Sequence, residues 1–192
     1  MSIPAYNTGV IRTTEQQTMA AIIDREFAAA GWKSSVIQAA IVNAYAESGL
    51  NPRAIGDGGK SVGLFQLHER GGGAGMSTAQ RQDPTLNARR IIEETARASS
   101  FRAIAASTDD VPTLAAAFST YVERPADKPG EEARRRDLAA RIFPTSWLTN
   151  APAGATTTPS TTEPPRSTSY WYALAALAIV SGAAYMITRQ RE

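Results

Sequence analysis

Residues 151–169 (APAGATTTPSTTEPPRSTS) consist almost wholly of Pro, Ser, Thr, Ala and Gly. A stretch this polar and this often interrupted by proline cannot pack a core. In a chain of 192 residues it confines folding to what precedes it, and residues 1–150 are enough for one domain but too few for two. Proline stiffens the stretch toward polyproline II, so at about 3.1 Å per residue it can serve as a stalk. Beyond it, residues 170–188 (YWYALAALAIVSGAAYMIT) run for 19 positions without a charge. That is close to the roughly 20 residues needed to cross a hydrocarbon core about 30 Å thick. Trp171 and Tyr172 at its start and Arg189 and Arg191 after its end match an aromatic belt and cationic anchors. The sequence therefore predicts four parts: a folded domain over 1–150, a disordered linker over 151–169, a transmembrane helix over 170–188 and a short basic tail over 189–192. For the uncharged stretch the alternative is a buried core helix. Ala178 and Gly182 form a small-xxx-small pair through which two such spans can approach closely.

The opening residues MSIPAYNTGVIRTT lack the basic block and apolar core of a secretory signal, so any export is expected to use another route. Positive-inside counting places the tail carrying Arg189 and Arg191 in the cytoplasm and the head outside, opposed weakly by Arg166. Within residues 1–150, 17 basic side chains face 16 acidic ones, which is no polybasic footprint, so no nucleic-acid partner is expected. The chain has no cysteine, which excludes disulfides, thiolate metal sites and Cys nucleophiles. With a single histidine, His68, a Ser-His-Asp triad and a multi-histidine metal site are disfavoured, and neither metal nor cofactor is expected. If the chain is an enzyme, carboxylates carry its protons.

Apolar residues at helical spacing predict a helix over 14–30, with Thr14 as N-cap, Gln17 as its capping-box partner and Gly31 as the stop. A second, very apolar helix is expected from Lys33 or Ser34 to Ser48, stopped by Gly49 and Pro52. Residues 51–75 hold eight glycines and no helical period, so they read as hairpins and loops. Helices return at about 85–106, 111–122 and 130–142. The fold class is α+β, mainly α, with a small β-hairpin element after the second helix.

No charge lies between Lys33 and Glu47, which sits one residue before the end of the second helix. Apolar surroundings raise a carboxyl pKa, and a Glu raised to roughly 6 is suited to protonating a glycosidic oxygen. The competing reading is an exposed Glu at a helix end. Ala46-Glu47-Ser48-Gly49-Leu50-Asn51-Pro52, followed by Gly63-Leu64-Phe65-Gln66-Leu67 with Gln66 19 residues after Glu47, resembles the lysozyme-like superfamily of lytic transglycosylases, goose-type lysozymes and phage tail lysozymes. In that group a Glu-Ser pair closing a helix precedes a Gly-Leu-Met/Phe-Gln strand. The Phe118…Tyr121-Val122-Glu123-Arg124-Pro125 stretch is similar to one in the phage tail lysozyme branch. The resemblance spans about 14–143 and leaves out the linker and the uncharged stretch.

The resemblance implies a lysozyme-like fold and makes Glu47 the catalytic acid, protonating the bridging oxygen between N-acetylmuramic acid and N-acetylglucosamine in peptidoglycan. As base, Glu47 would then take the muramoyl C6 hydroxyl proton in a lytic transglycosylase, whereas a hydrolase usually needs a second carboxylate. Asp57 is the candidate for that carboxylate, with Glu69 behind it; as alternative, Ile55-Gly56-Asp57-Gly58-Gly59 is simply a turn. A single-carboxylate transglycosylase is favoured over a muramidase. By resemblance, Ser48, Gly63, Gln66 and Tyr121 bind substrate; for Ser48 the rival role is capping, for Tyr121 a core-edge aromatic, and Gly63 would let the backbone approach the sugar. One departure is Val62 before Gly63, where many relatives carry Ser or Ala, which bears on the adjacent subsite. Glu123 and Arg124 read as an ion pair or helix-end charges, and Arg134, Arg135 and Arg136 as a solvated face paired with Glu131 and Glu132.

The expected protein is a membrane-anchored peptidoglycan-cleaving enzyme carried in a phage particle for local wall penetration during genome entry. It would sit in a virion internal membrane, or in the host inner membrane with its head facing the periplasm. Its expected partners are glycan strands, a lipid bilayer through 170–188 and other virion membrane proteins. The alternatives are a bacterial transglycosylase of a secretion or conjugation machine, a non-catalytic wall-binding membrane protein, and a chitinase-like enzyme.

Overall fold

The computed structural model describes residues 6–124 and 127–144. The expected linker at 151–169, the expected span at 170–188 and the basic tail lie outside the described residues. Among the described residues no helix is long and apolar enough to cross a membrane.

Among the described residues seven α-helices accompany one small sheet: α1 (Thr14–Ala29), α2 (Ser34–Ser48), β1 (Ile55–Gly56), β2 (Ser61–Val62), β3 (Leu67–His68), α3 (Thr78–Gln82), α4 (Pro84–Arg97), α5 (Ser99–Ser107), α6 (Val111–Phe118) and α7 (Lys128–Ile142). The sheet is antiparallel in the order β1-β2-β3, with Ile55 opposite Val62 and Ser61 opposite His68. This is the mainly helical α+β class with a small β element. Helix α2 is the core's axis: Val36, Ala39, Ala40, Ile41, Val42 and Ala44 are all fully buried, and α1, α6 and α7 pack around it. A helix apolar on every side lowers its free energy only when covered on every side. Phe118 centres an aromatic cluster, 5.4 Å from Phe101 edge-on, 6.2 Å from Phe65 and 6.5 Å from Phe27. Each such pair adds about 0.5–1.5 kcal/mol beyond its burial, and together they tie α1, α5 and α6 to the loop before β3.

Several helix boundaries differ from the sequence expectation: α3 is not among the expected helices, α6 ends at Phe118 and not at 122, α7 starts at Lys128 and not at 130, and two further differences have an identifiable cause. The α1 capping box is Thr13 with Gln16, not Thr14 with Gln17. Both registers satisfy the local signature, but the Gln16 amide also donates to the Gly49 carbonyl at 3.1 Å, a tertiary contact that selects one of them. The helix expected over 85–106 is two, separated at Ala98 (ψ 86°) with no Gly or Pro to mark the break. That bend turns Phe101 into the aromatic cluster.

The β region differs more. The Gly63-Leu64-Phe65-Gln66 segment expected as strand is instead the turn joining β2 to β3, with the Gln66 amide donating to the Gly63 carbonyl at 3.2 Å. Leu64 and Phe65 are buried from within that turn, so their apolarity reflects core filling and not strand alternation. Two buried polar side chains hold the region in place. The Asn87 amide nitrogen donates to the Arg81 and Val62 carbonyls at 2.7 and 3.3 Å, and its oxygen accepts from the Phe65 amide at 3.1 Å. Arg81 donates to the Lys60 and Leu67 carbonyls at 2.5 and 3.0 Å.

Gly63 has φ +88°, and a Cβ there would lie 2.1 Å from the Arg81 carbonyl oxygen and 2.3 Å from the Asn87 amide nitrogen. It is close approach of protein to protein that requires glycine here. Gly59 also has a positive φ, +95°, but faces open space. In chemical denaturation, Gly63→Ala is expected to lose ~3 kcal/mol or more through strain and overlap together, and Gly59→Ala only ~1 kcal/mol through strain alone. Equal losses would contradict the packing described for Gly63.

Candidate active site

Glu47 occupies the last turn of α2 and opens onto a cleft of about 630 Å³, whose walls include Asp57, Phe65, Gln66, His68, Glu94 and Glu123. Its side chain is 27 % exposed. One turn earlier, on the same helix face, Asn43 is fully buried and donates to the Ala39 and Ala115 carbonyls at 2.8 and 3.0 Å. The Asn43 oxygen in turn accepts from Arg135 Nε at 2.8 Å.

Arg135 is the hub. Its Nη2 lies 2.5 Å from Glu47 Oε1 and 3.5 Å from Glu123 Oε2, and its Nη1 lies 2.8 Å from Glu131 Oε2. One nitrogen at those two distances puts the bonded Glu47 and Glu123 oxygens at most about 6 Å apart. This corrects the sequence expectation of a solvated basic face. Of the three consecutive arginines, Arg134 and Arg136 are exposed, while Arg135 is buried in register with Ala139 and Ile142. Consecutive helical side chains point about 100° apart, so only one of the three can face inward.

Glu123 enters the cleft because α6 does not continue as an α-helix. After Phe118 the chain widens into a π turn over Ser119–Glu123, closed by the Arg124 amide donating to the Ser119 carbonyl at 2.8 Å. Arg124 then takes a left-handed conformation, φ +59°. π turns are rare and frequent at functional sites. The Glu123 side chain is only 10 % exposed, and its Oε1 is buried without a hydrogen-bond partner. Burial, then the neighbouring Glu47 charge, push this carboxyl up to about 8 against the pull of Arg135. Glu47 is raised as well, by burial above all, with Arg135 opposing and the Glu131 and Asp57 charges reinforcing. If all were ionised, three carboxylates would surround one guanidinium, and like charges at this spacing favour keeping a proton.

The sequence candidates divide. Glu47, Asp57 and Gln66 line one cleft. Asp57 sits in a short 3-10 turn with φ +49° and accepts a hydrogen bond from the Ser61 hydroxyl at 2.5 Å. Gln66, φ +43°, donates to the Ala54 and Gly63 carbonyls at 3.2 and 3.0 Å, bracing the turn from the cleft side. Ser48, Gly63 and Tyr121 are not among the lining residues. The Ser48 hydroxyl lies within hydrogen-bond distance of the Ala44 and Leu64 carbonyls, at 3.0 and 2.9 Å, fastening the end of α2 to the β2–β3 turn. Tyr121 is 40 % exposed. Sequence reasoning missed Glu123 and Arg135. The one legible signal was the 135, 139, 142 spacing of an inward face in α7. Among the described residues no group of three His, Cys, Asp or Glu side chains could hold a metal ion.

Because the folded Glu123 carboxyl titrates near 8 and its ordinary value is 4.5, the folded state binds the extra proton between those values. Its contribution is fully present below about 4.5 and is lost as pH rises through about 8. Stability measured by urea unfolding is expected to fall across that window, and the fall to be shallower in Glu123→Gln. An identical slope in the variant would contradict a raised Glu123. Arg135→Leu leaves the buried carboxyls without their cation and is expected to lose about 3–5 kcal/mol in the same measurement.

The family model described as phage tail lysozyme matches residues 17–145, a span containing every cleft residue named above. No curated protein and no solved structure matches the chain.

Proposed function

The chain belongs to the phage tail lysozyme family, and from that premise we propose that Glu47 is the acid with which it cleaves the β-1,4 bond between N-acetylmuramic acid and N-acetylglucosamine. Membership makes this a lysozyme-like phage protein with a cell-wall degrading role and peptidoglycan as its substrate. The single observation that carries the finer reading is the situation of Glu47. It is a partly exposed carboxyl at the inner wall of a cleft, and burial above all shifts it toward the protonated form against the pull of Arg135.

Protonated Glu47 gives its proton to the bridging oxygen as that bond breaks, and positive charge develops on the muramoyl C1. The Glu47 carboxylate left behind is met by the Arg135 guanidinium at 2.5 Å, which stabilises it without a change in fold. Glu47 then removes the proton from the muramoyl C6 hydroxyl, whose oxygen closes on C1 to form the 1,6-anhydro ring. This single-carboxylate lytic transglycosylase route is the favoured one. Hydrolysis is the second reading, favoured by one observation: Asp57 lines the same cleft and its charge acts on Glu47, so it can serve a water. Gln66 lines the cleft, and in this reading it meets substrate N-acetyl groups there. From sequence alone we also retain residues 151–169 as a stalk and 170–188 as a membrane anchor, holding the head for local cutting in a virion.

Glu47→Gln keeps the shape and removes the proton. Its rate on purified sacculi is expected to fall by about 10²- to 10⁴-fold with an unchanged denaturation midpoint. Mass spectrometry of the released muropeptides separates the routes. Products lighter by one water than reducing-end sugars support the transglycosylase; reducing-end products that disappear in Asp57→Asn support the hydrolase. Undiminished activity in Glu47→Gln would overturn both.

A further inference from the structure

An acid must carry its proton when substrate arrives, yet Glu47 lies 2.5 Å from a buried guanidinium, which favours the charged form. What offsets Arg135 is therefore as important to the reaction as Glu47 itself. Arg135 Nη2 reaches two carboxyls, Glu47 at 2.5 Å and Glu123 at 3.5 Å, and leans on the first. Glu123 Oε1 lines the interior with no donor at all. A buried carboxylate oxygen without a donor is costly, whereas a neutral carboxyl in the same place is far less so. The arrangement is one of two related states: guanidinium on an ionised Glu47, proton on Glu123. The state needed for chemistry is the other, with the proton on Glu47 and the guanidinium on an ionised Glu123.

We propose that Arg135 is a counter-ion shared between Glu47 and Glu123, so that the two carboxyls hold one proton between them and Glu123 decides when Glu47 carries it. The exchange is balanced: one proton leaves a Glu123 oxygen, one arrives at Glu47, and the guanidinium stays charged throughout. It needs little movement, because both acceptors are already within reach of a single nitrogen. Nε on Asn43 and Nη1 on Glu131 pin the remainder of the guanidinium. Substrate entering the cleft displaces water from Glu47 and so favours its neutral form. Glu123 is on this account a positioning residue and touches no sugar.

The other charged and titratable groups facing this pair are distributed around it. Glu131 of α7 is held by Arg135 and by Arg134. Glu132 accepts the Thr120 hydroxyl at 2.7 Å. Glu94 of α4 is paired with Arg97 at 2.9 Å and with Arg90 at 4.0 Å. Asp57, His68 and Arg124 stand along the cleft wall. Of these and Arg135, only Arg135 contacts both carboxyls.

The inference rests on Glu47 being the acid, and the test keeps the two apart. The pH dependence of kcat/KM on sacculi is measured for the full chain and for Glu123→Gln, Glu123→Asp and Glu47→Gln. The neutral amide introduced by Glu123→Gln leaves Arg135 fixed on Glu47, so Glu47 loses its proton at lower pH. The alkaline limb should move down, giving a loss of ~10-fold or more near pH 8 and little loss near pH 5, with Glu123→Asp recovering part of it. An unmoved limb in a folded Glu123→Gln protein, or an equal loss at every pH, overturns the proposal. Should Glu123→Gln not fold, the infrared carboxyl titration of the native chain minus Glu47→Gln still decides. A two-step Glu47 signal is expected of a coupled pair, and a single step overturns it. Full activity in Glu47→Gln would remove the reading of Glu47 itself; an inactive Glu47→Gln beside an unmoved limb removes only the shared counter-ion.

Discussion

A single buried guanidinium organises the chemistry of this domain and much of its packing. Arg135 reaches from α7 to Asn43 and Glu47 on α2, to Glu123 after α6 and to Glu131 on its own helix. Asn43 continues the line to the α6 backbone at Ala115. Arg135 thus joins α2, α7 and the π turn, and through Asn43 also α6. Such a cluster is weak as a source of stability, since removing charges from water offsets most of what their attraction returns. Its value lies in geometry and charge: it fixes the end of α2 against the cleft and sets the protonation of two carboxyls. An apolar residue in the same place could fill the volume but could do neither.

Around that hub the backbone is strained where the cleft is. Among the described residues four non-glycine residues have positive φ, namely Leu50, Asp57, Gln66 and Arg124, and three of them, Asp57, Gln66 and Arg124, line the cleft. Strain of this kind persists only where neighbours over-determine it. Here the neighbours are identifiable: the Ser61 hydroxyl on Asp57, the Ala54 and Gly63 carbonyls on the Gln66 amide, and the closed π turn before Arg124. Beneath them, Asn87 and Arg81 hold the β2–β3 turn by its backbone carbonyls and one amide, so the floor of the cleft is braced by buried side chains and not by long strands.

The division of labour among the motif residues follows from this packing. Glu47 faces the cleft because α2 ends there. Ser48, next in sequence and about 100° around the helix, faces away and binds the turn at Leu64. Gly63 is glycine because Arg81 and Asn87 leave no room for a Cβ. Two adjacent segments that look in sequence like a substrate-binding signature are in large part the joint between a helix and a turn, with Glu47 and Gln66 as the members that reach open space.

Local chemistry was enough to read a good deal from the sequence alone. The apolar run of α2 with Gly49 after it, the glycine-rich β region, the mainly helical class and the isolated Glu47 at a helix end are each set within a dozen residues by periodicity, capping and turn propensity. The four-residue signature Gly-Leu-Phe-Gln was legible too, though as a turn and not a strand, because apolar residues packed from a turn carry the same composition as a buried strand. Only the tertiary structure decided which of Thr13 and Thr14 caps α1, where the helix after Pro84 breaks, and which arginine of 134–136 turns inward. It alone decided that Glu123 and Arg135, 76 and 88 residues from Glu47, share its charge. Those outcomes depend on contacts between segments distant in the chain. A widened turn after Phe118 and the inward face of α7 put the three groups within one guanidinium's reach, and no local rule encodes that meeting.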